Sequence, residues 1–228
     1  MAKKKSPELY LSGDVAADEL LSHDPLALLI GMVLDQQIPL EWAFAAPAKF
    51  RERLGHDLDA AEIAAYDPEV LAKMFTGPPA LHRFPGSMAG RVQQLCRHLV
   101  AAYDGAAAGV WTKASDGADL LARVQALPGF GEQKARIFIG LLGKQYGVAT
   151  QGWQEAAGDF GRPGTYLSVA DITGRESLER VRAHKKDMKA AAKATMAGAR
   201  PTKATKATKA TKATKASKGA KASPARPH

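Results

Sequence analysis

The sequence predicts an all-α fold of seven to nine helices joined by short loops. Three observations favour this class. Asp-Pro pairs open two apolar segments, a long segment carries apolar residues at helical spacing, and no segment alternates apolar and polar residues convincingly, as a half-buried strand does. Asn-Gly, a strong signal for a β-hairpin, is absent from the chain.

The predicted helices follow in order along the chain. Asp24-Pro25 and Asp67-Pro68 each place a carboxylate at an N-cap and a proline at the first helical position, where no N–H is needed. Apolar residues recur every three or four positions over residues 87–103, as on one face of an amphipathic helix. Gly55 is a typical C-terminal stop. The predicted segments are 26–36, 39–54, 69–75, 87–103, 116 or 119 to 126, 132–146 and 177–195.

Charge divides the chain into two parts. Residues 185–228 carry 13 Lys and Arg and one acidic residue, whereas residues 1–184 carry 19 basic and 22 acidic residues. Residues 202–221 are nearly a Thr-Lys-Ala repeat, which offers nothing larger than alanine to bury. We therefore predict one domain over residues 8–195, between a disordered N-terminus (1–7) and a disordered basic tail (196–228). The tail suits contact with nucleic acid, with a solubilising role and another acidic partner as alternatives.

Composition excludes several classes of protein. A single cysteine, Cys96, excludes a disulfide framework, a multi-cysteine zinc site and a four-cysteine iron–sulfur cluster. No apolar run reaches the roughly 18 residues of a membrane span, and no signal peptide follows the first lysines. We expect a cytoplasmic, nucleoid-associated monomer that has no membrane partner.

The most informative segment is Leu-Pro-Gly-Phe-Gly-Glu-Gln-Lys-Ala at 127–135. One predicted helix runs into it and another runs out. Two glycines allow a tight turn and close approach of another backbone. The amides of Gly129 and Gly131, with the first free N–H groups of the second helix, would form an anion site. An ordinary corner between two helices is the alternative.

The hairpin is accompanied by Leu34-Asp35-Gln36-Gln37 about 90 residues upstream, with the long 87–103 helix between them. This order resembles the HhH-GPD superfamily, the helix-hairpin-helix base-excision DNA glycosylases. The resemblance implies two helical lobes with double-stranded DNA in the cleft between them and a damaged nucleotide flipped out of the duplex. It also implies that Gln37 fills the gap left by that base, although a helix-capping role for Gln37 is equally open.

The resemblance further implies a hairpin that grips a DNA phosphate, often through Na⁺ or K⁺ held by the backbone of Gly129 and Gly131. We expect no other cofactor and no iron–sulfur cluster. The expected DNA-contacting residues are Gln37, Gly129, Phe130, Gly131, Gln133, Lys134, Lys203, Lys206, Lys209, Lys212, Lys215 and Lys218.

The catalytic positions depart from the family pattern. The family's catalytic aspartate lies about 20 residues after the hairpin, and the gap-free count places Gln151 there. A neutral glutamine cannot supply the negative charge that stabilises an oxocarbenium-like state. Glu155, Asp159 and Asp35 are candidate substitutes, each with a solvated or capping role as the alternative. Gln151 itself stays a catalytic candidate that could position a water without acting as a base.

The lysine that cleaves the DNA strand in some members is also replaced, here by Gln133. Lys134, one position later, is interpreted as a phosphate contact. The sequence therefore predicts a monofunctional DNA glycosylase without lyase activity. A non-catalytic relative that recognises damaged or distorted DNA is the main alternative, and an architectural DNA-binding protein is a third. The basic-aromatic segment 82–85 either reaches a DNA groove or tucks Phe84 into the core.

Overall fold

The computed structural model describes residues 8–198, with side chains as far as residue 191, and this range is all-α, as predicted. Residues 1–7 and 199–228, which hold the predicted disordered N-terminus and nearly all of the predicted tail, lie outside the described residues. The helices are α1 (Val15–His23), α2 (Pro25–Leu34), α3 (Leu40–Leu54), α4 (Ala60–Ala65), α5 (Pro68–Thr76), α6 (Pro85–Tyr103), α7 (Gly109–Thr112), α8 (Gly117–Gln125), α9 (Glu132–Lys144), α10 (Trp153–Ala157) and α11 (Arg175–Gly198). Short 3-10 helices lie at Gly158–Gly161 and Val169–Asp171.

The eleven α-helices within residues 8–198 exceed the seven predicted segments because four were missed. Three of these, α4, α7 and α10, have only six, four and five residues, too few to show a helical period. The fourth, α1, starts from a cap without a proline. Its N-cap, Asp14, accepts a hydrogen bond from the Ala17 amide.

Both cap-and-proline predictions are confirmed. The Asp24 carboxylate accepts hydrogen bonds from the amides of Leu26 and Ala27, at 2.8 and 3.2 Å. Asp67 caps α5 in the same way, with Pro68 at the first helical position. Each cap satisfies amides that no helical carbonyl can reach.

The central element is α2, whose residues from Leu26 to Leu34 are all buried. It packs between α1, α3 and α6. The contact with α3 is close, since a Cβ on Gly31 would lie 2.8 Å from a ring carbon of Phe44. On the other side of α3, Phe50 meets Phe75 of α5 with ring centroids 5.0 Å apart.

A second group of helices, α8, α9 and α10, packs through glycines. A Cβ on Gly140 would lie 2.7 Å from the carbonyl oxygen of Phe160, and a Cβ on Gly143 would lie 2.3 Å from the ring of Trp153. These two glycines therefore let α10 and the following turn approach α9. Residues up to Ala190 form one compact unit with both groups of helices in it.

The last helix, α11, lies beside the start of α3. Val181 is buried there, and Arg182 forms an ion pair with Glu41 of α3. Among the residues described, no helix is long and apolar enough to cross a membrane.

Candidate nucleic-acid interface

The predicted hairpin lies between α8 and α9. Gly129 has φ +89°, a conformation that side chains rarely adopt, and the Phe130 amide closes the turn onto the Leu127 carbonyl at 3.0 Å. The Phe130 ring is buried edge-on against Phe138, with centroids 5.6 Å apart. The turn is therefore anchored in the core by the one large side chain at its tip, while both glycines are exposed.

The start of α9 presents free backbone donors to solvent. Gly131 is the N-cap, and no side chain caps the helix. The amides of Gly131, Glu132 and Gln133 have no hydrogen-bond acceptor among the described residues, and all three residues are exposed. Free amides at the positive end of a 13-residue helix suit a phosphate oxygen.

The acidic residue at this helix end is neutralised within the helix. The Glu132 carboxylate pairs with the guanidinium of Arg136 one turn later, at 3.1 Å. Arg136 also donates to the Ala156 carbonyl at 3.0 Å, which holds it against α10. Because Arg136 balances the charge of Glu132, this carboxylate would repel an anion at the α9 amides only weakly.

The hairpin lies against the C-terminal end of α2. A Cβ on Gly129 would lie 3.6 Å from a methyl carbon of Val33, so the turn and α2 are in contact. Lys134, predicted as a phosphate contact, donates from Nζ to the Met32 carbonyl at 2.6 Å. Burial lowers the pKa of Lys134, and Asp35 opposes that shift. The Lys134 ammonium thus satisfies the Met32 carbonyl, which has no hydrogen-bond partner within α2 because it lies in the last turn of that helix.

The chain between α2 and α3, residues 35–39, forms what we call the α2–α3 corner. Gln36 is held there by four hydrogen bonds, one of them from its backbone amide to the Leu34 carbonyl at 2.7 Å. Its side-chain amide donates to the Val33 carbonyl at 2.6 Å, its side-chain oxygen accepts from Arg91 at 3.0 Å, and its carbonyl accepts from His82 at 3.0 Å. Segments far apart in sequence therefore converge on this one residue.

The next residue, Gln37, is exposed and has φ +60°. A left-handed conformation is uncommon and costly for a residue other than glycine. Such strain persists where the surroundings hold the backbone, and the contacts of Gln36 do so here. The corner presents the Gln37 side chain to solvent, as the predicted gap-filling role requires.

The segment before α6 approaches the same corner. The His82 side chain is buried, and its Nδ1 accepts from the Phe84 amide at 3.0 Å, so its Nε2 carries the hydrogen that is donated to Gln36. Burial lowers the pKa of His82, which favours this neutral form. Phe84 is 43% exposed, with the Arg83 guanidinium 5.4 Å from its ring centroid. The interpretation that Phe84 is tucked into the core is therefore wrong, and contact of this segment with a DNA groove stays a prediction.

Asp35 opens the corner beside a cavity of about 260 Å³. Burial raises the pKa of this carboxyl group, while the nearby cations Lys185 and Lys134 oppose the shift. Its carboxylate accepts no hydrogen bond from the residues described. The cavity is lined by Asp35, Ile38, Pro39, Leu40, Glu41, Ile172, Leu178, Val181, Arg182 and Lys185.

The other predicted catalytic positions lie elsewhere. The Gln151 carbonyl accepts the Gly117 amide at 2.7 Å, which fixes it at the start of α8. At about 1.5 Å per residue, the nine residues of α8 separate that point from the turn by roughly 13 Å. Gln151 and Glu155 line a cavity between α8, α9 and α10 that contains no corner residue. Asp159 is exposed and pairs with Arg162 at 3.0 Å.

The roles of two residues of the interface were missed from the sequence, since Arg91 was not named and His82 was taken only as part of the segment 82–85. Arg91 is one exposed position in an amphipathic helix, and His82 is the buried member of a loop. Only their contacts with Gln36, which lies 46 or more residues away, reveal their part. Contacts at such separations leave no local pattern in the sequence.

The family comparison agrees with this arrangement. The model of the HhH-GPD superfamily of base excision DNA repair proteins matches residues 30–201, a range that contains the corner, the hairpin and all of α11. No curated protein and no solved structure matches the chain. The match covers well over half of the chain, and therefore this protein belongs to the HhH-GPD superfamily of base excision DNA repair proteins.

Proposed function

We propose that this base excision repair protein is a monofunctional DNA glycosylase. It would flip a damaged nucleotide out of duplex DNA and hydrolyse the N-glycosidic bond without cutting the strand. One observation carries the proposal: the hairpin amides, the strained Gln37 and the exposed Phe84 all surround the C-terminal end of α2. An anion site, a gap-filling side chain and an aromatic ring on one surface are the parts that such a reaction needs.

Binding would start from the phosphate backbone. The free amides of residues 131–133 would donate to one phosphate, and the exposed Arg83 and Arg91 would add positive charge beside it. The lysines at 203, 206, 209, 212, 215 and 218 would raise affinity for any duplex by releasing counterions, although they lie outside the described residues. This contribution positions the protein without reading sequence.

A monovalent cation at the hairpin belongs to the same proposal. Backbone carbonyls suit Na⁺ or K⁺. The Gly129 carbonyl accepts no hydrogen bond from the described chain, and the Gly131 carbonyl accepts only the Ala135 amide, so each oxygen keeps a lone pair. The turn therefore fits such an ion, which would offset phosphate charge.

Strand cleavage is not part of the proposal. Lyase chemistry needs a free amine that can form a Schiff base with the sugar. The position used by lyases holds Gln133, and the neighbouring Lys134 donates from its ammonium to the Met32 carbonyl. Water is therefore the proposed nucleophile.

The test is base release from duplex oligonucleotides that carry uracil, hypoxanthine, alkylated purines, 8-oxoguanine or mispaired adenine. The full chain is used at an ionic strength that weakens binding by the tail. We expect abasic sites that become strand breaks only after alkali. Breaks without alkali, with a protein–DNA adduct trapped by borohydride, would instead show that an amine of the chain forms a Schiff base and would refute monofunctional hydrolysis.

A second candidate function is recognition of damaged DNA without catalysis. The observation that favours it is Gln151, a neutral residue at the family's catalytic position by gap-free count, with its backbone held at the start of α8. This candidate predicts lesion-selective binding with no base release from any member of the panel.

A further inference from the structure

Hydrolysis of a glycosidic bond needs a negative charge beside the reacting sugar. The positive charge that develops on the sugar ring is stabilised by a carboxylate, which also takes a proton from the attacking water. Glutamine can do neither. If the proposed function holds, the carboxylate must come from another residue that lies where the flipped nucleotide leaves the duplex.

The three candidate carboxylates, Asp159, Glu155 and Asp35, differ in their surroundings. Asp159 is 67% exposed at its side chain and bound to Arg162. Glu155 is exposed in the cavity between α8, α9 and α10, which contains no corner residue. Asp35 alone of the three is half-buried, lines a cavity and belongs to the corner that presents Gln37.

The position of Asp35 relative to Gln37 is fixed by the chain. The two residues are separated by one residue, so their Cα atoms lie within about 7 Å. On the proposed function, Gln37 enters the space that the flipped base vacates. The sugar of that nucleotide then stays on the strand next to Gln37, within reach of the Asp35 carboxylate.

The surroundings of Asp35 also suit its chemistry. Burial raises the pKa of the Asp35 carboxyl group, as suits a group that takes a proton from water; Lys185 and Lys134 limit that rise, and Glu41, which Arg182 neutralises, adds to it. The Lys134 ammonium is held in place by the Met32 carbonyl. The adjoining cavity of about 260 Å³ has room for a reacting water, since one water takes about 30 Å³ of liquid volume.

We infer that Asp35 is the catalytic carboxylate of this protein, acting from the α2–α3 corner; the inference rests on the proposed function. In the reaction, the C1′–N bond breaks and its electron pair leaves with the base, which takes a proton from solvent. The water oxygen bonds to C1′ as the Asp35 carboxylate accepts a water proton. The products are the free base and an abasic sugar with a hydroxyl group at C1′.

The experiment compares the wild-type full chain with Asp35→Asn under single-turnover conditions. The substrate is the duplex of the panel from which the wild type releases a base. Asparagine keeps the shape and removes the charge. We expect base release to fall by at least about 100-fold, with the Kd for the lesion duplex unchanged within about threefold. Asp104→Asn is the matched control, because Asp104 is exposed at the end of α6 in a left-handed conformation that asparagine tolerates.

A second variant keeps the inference testable if Asp35→Asn fails to fold. Lys185→Gln removes an exposed cation that favours ionised Asp35. We expect the acid limb of the pH–rate profile to move to higher pH, with the rate at the plateau unchanged. A purely structural Asp35 would leave the position of this limb where it is in the wild type.

The outcomes separate the two claims. Base release by the wild type together with full activity of Asp35→Asn overturns the inference and leaves the proposed function standing. Loss of activity in Glu155→Gln or Asp159→Asn, with Asp35→Asn active, also overturns it and moves the carboxylate elsewhere. No release by the wild type from any duplex overturns the proposed function, and the inference with it.

Discussion

The two ends of the α8–α9 hairpin are held together by different chemistry. At the turn, two side chains donate to the last carbonyls of α2: Lys134 from α9, far away in sequence, and Gln36 from the adjoining corner. At the opposite end, the backbone of Gly117 meets the backbone of Gly152, and the nearby Gln151 side chain is exposed. Polar side chains therefore converge at the corner, whereas the α10 end is built for close packing. On the proposed function, the corner carries the chemistry and the α10 end is its scaffold.

The largest effect should come from a methyl group at the α10 end. In Gly117→Ala, the new Cβ would lie 2.1 Å from the Gly152 carbonyl oxygen, a backbone atom that cannot rotate away. We expect the free energy of unfolding to fall by about 3 kcal/mol in urea titrations. Gly90→Ala is the control, because nothing lies within 4 Å of its Cβ position on α6, and it should stabilise by about 1 kcal/mol. If the two variants were equally stable, the α10 end would not depend on close backbone packing at Gly117.

The next effect tests the hairpin as the phosphate site. Glu132→Pro removes one free amide, yet the first position of a helix accepts proline, and Gly131 already has the extended conformation that precedes it (φ −77°, ψ 173°). We expect DNA affinity to fall about tenfold, or about 1.4 kcal/mol, with stability preserved. Glu132→Gln keeps the amide and removes the carboxylate, so it should bind as well as the wild type or better. If both variants bound DNA with equal affinity, the amide of residue 132 would not be part of the binding site.

A smaller effect separates strain from function at the corner. In Gln37→Gly, the left-handed backbone is relaxed, so the protein should gain about 1 kcal/mol of stability. The same variant lacks the side chain that fills the gap, so it should release damaged bases more slowly. Thermal unfolding and base-release rates measure the two effects together. A variant that is less stable than the wild type would show that Gln37 is a structural residue.

The smallest effect concerns pH and the His82 contact with the corner. Burial lowers the pKa of His82 below its ordinary 6.5, so the folded state favours neutral imidazole. Its stabilising contribution is complete above pH 6.5 and is lost as the pH falls from there through the lowered pKa. We expect the free energy of unfolding to fall more steeply between pH 7 and pH 5 in the wild type than in His82→Gln. Parallel pH profiles would contradict this reading of the buried ring.

The all-α class and several helix ends could be predicted because their causes are local. Asp24 and Asp67 cap the amides that directly follow them, and Pro25 and Pro68 occupy positions that need no N–H. The glycines of the hairpin likewise mark a turn wherever the rest of the chain lies. Each of these signals acts within about four residues, which is the range a sequence pattern can report.

The site could be predicted only in part. Its geometry depends on how each helix is rotated about its axis and on which segments, far apart in the chain, lie together. Gln133 and Lys134 are adjacent, but about 100° of helix rotation separates them, and only the packing of α9 on α2 decides which one faces α2. A count of 20 residues from the hairpin crosses the loop between α9 and α10, whose course the sequence does not state. The count leads to Gln151, whose carbonyl accepts the amide of Gly117 at the start of α8, and only the fold reveals the cavity beside Asp35.

The end of α2 links two events that are separate on the DNA. The hairpin contacts Val33, and the corner follows one residue after Leu34, so both are mounted on the last turn of one buried helix. On the proposed function, the distance between a phosphate at the hairpin and the nucleotide opposite Gln37 would therefore be constant. If the lesion lay one nucleotide away from the position opposite Gln37, either the hairpin amides or the corner would lack its contact with the DNA. On the proposed function, the protein would then sample DNA in single-nucleotide steps and commit only where both contacts form at once.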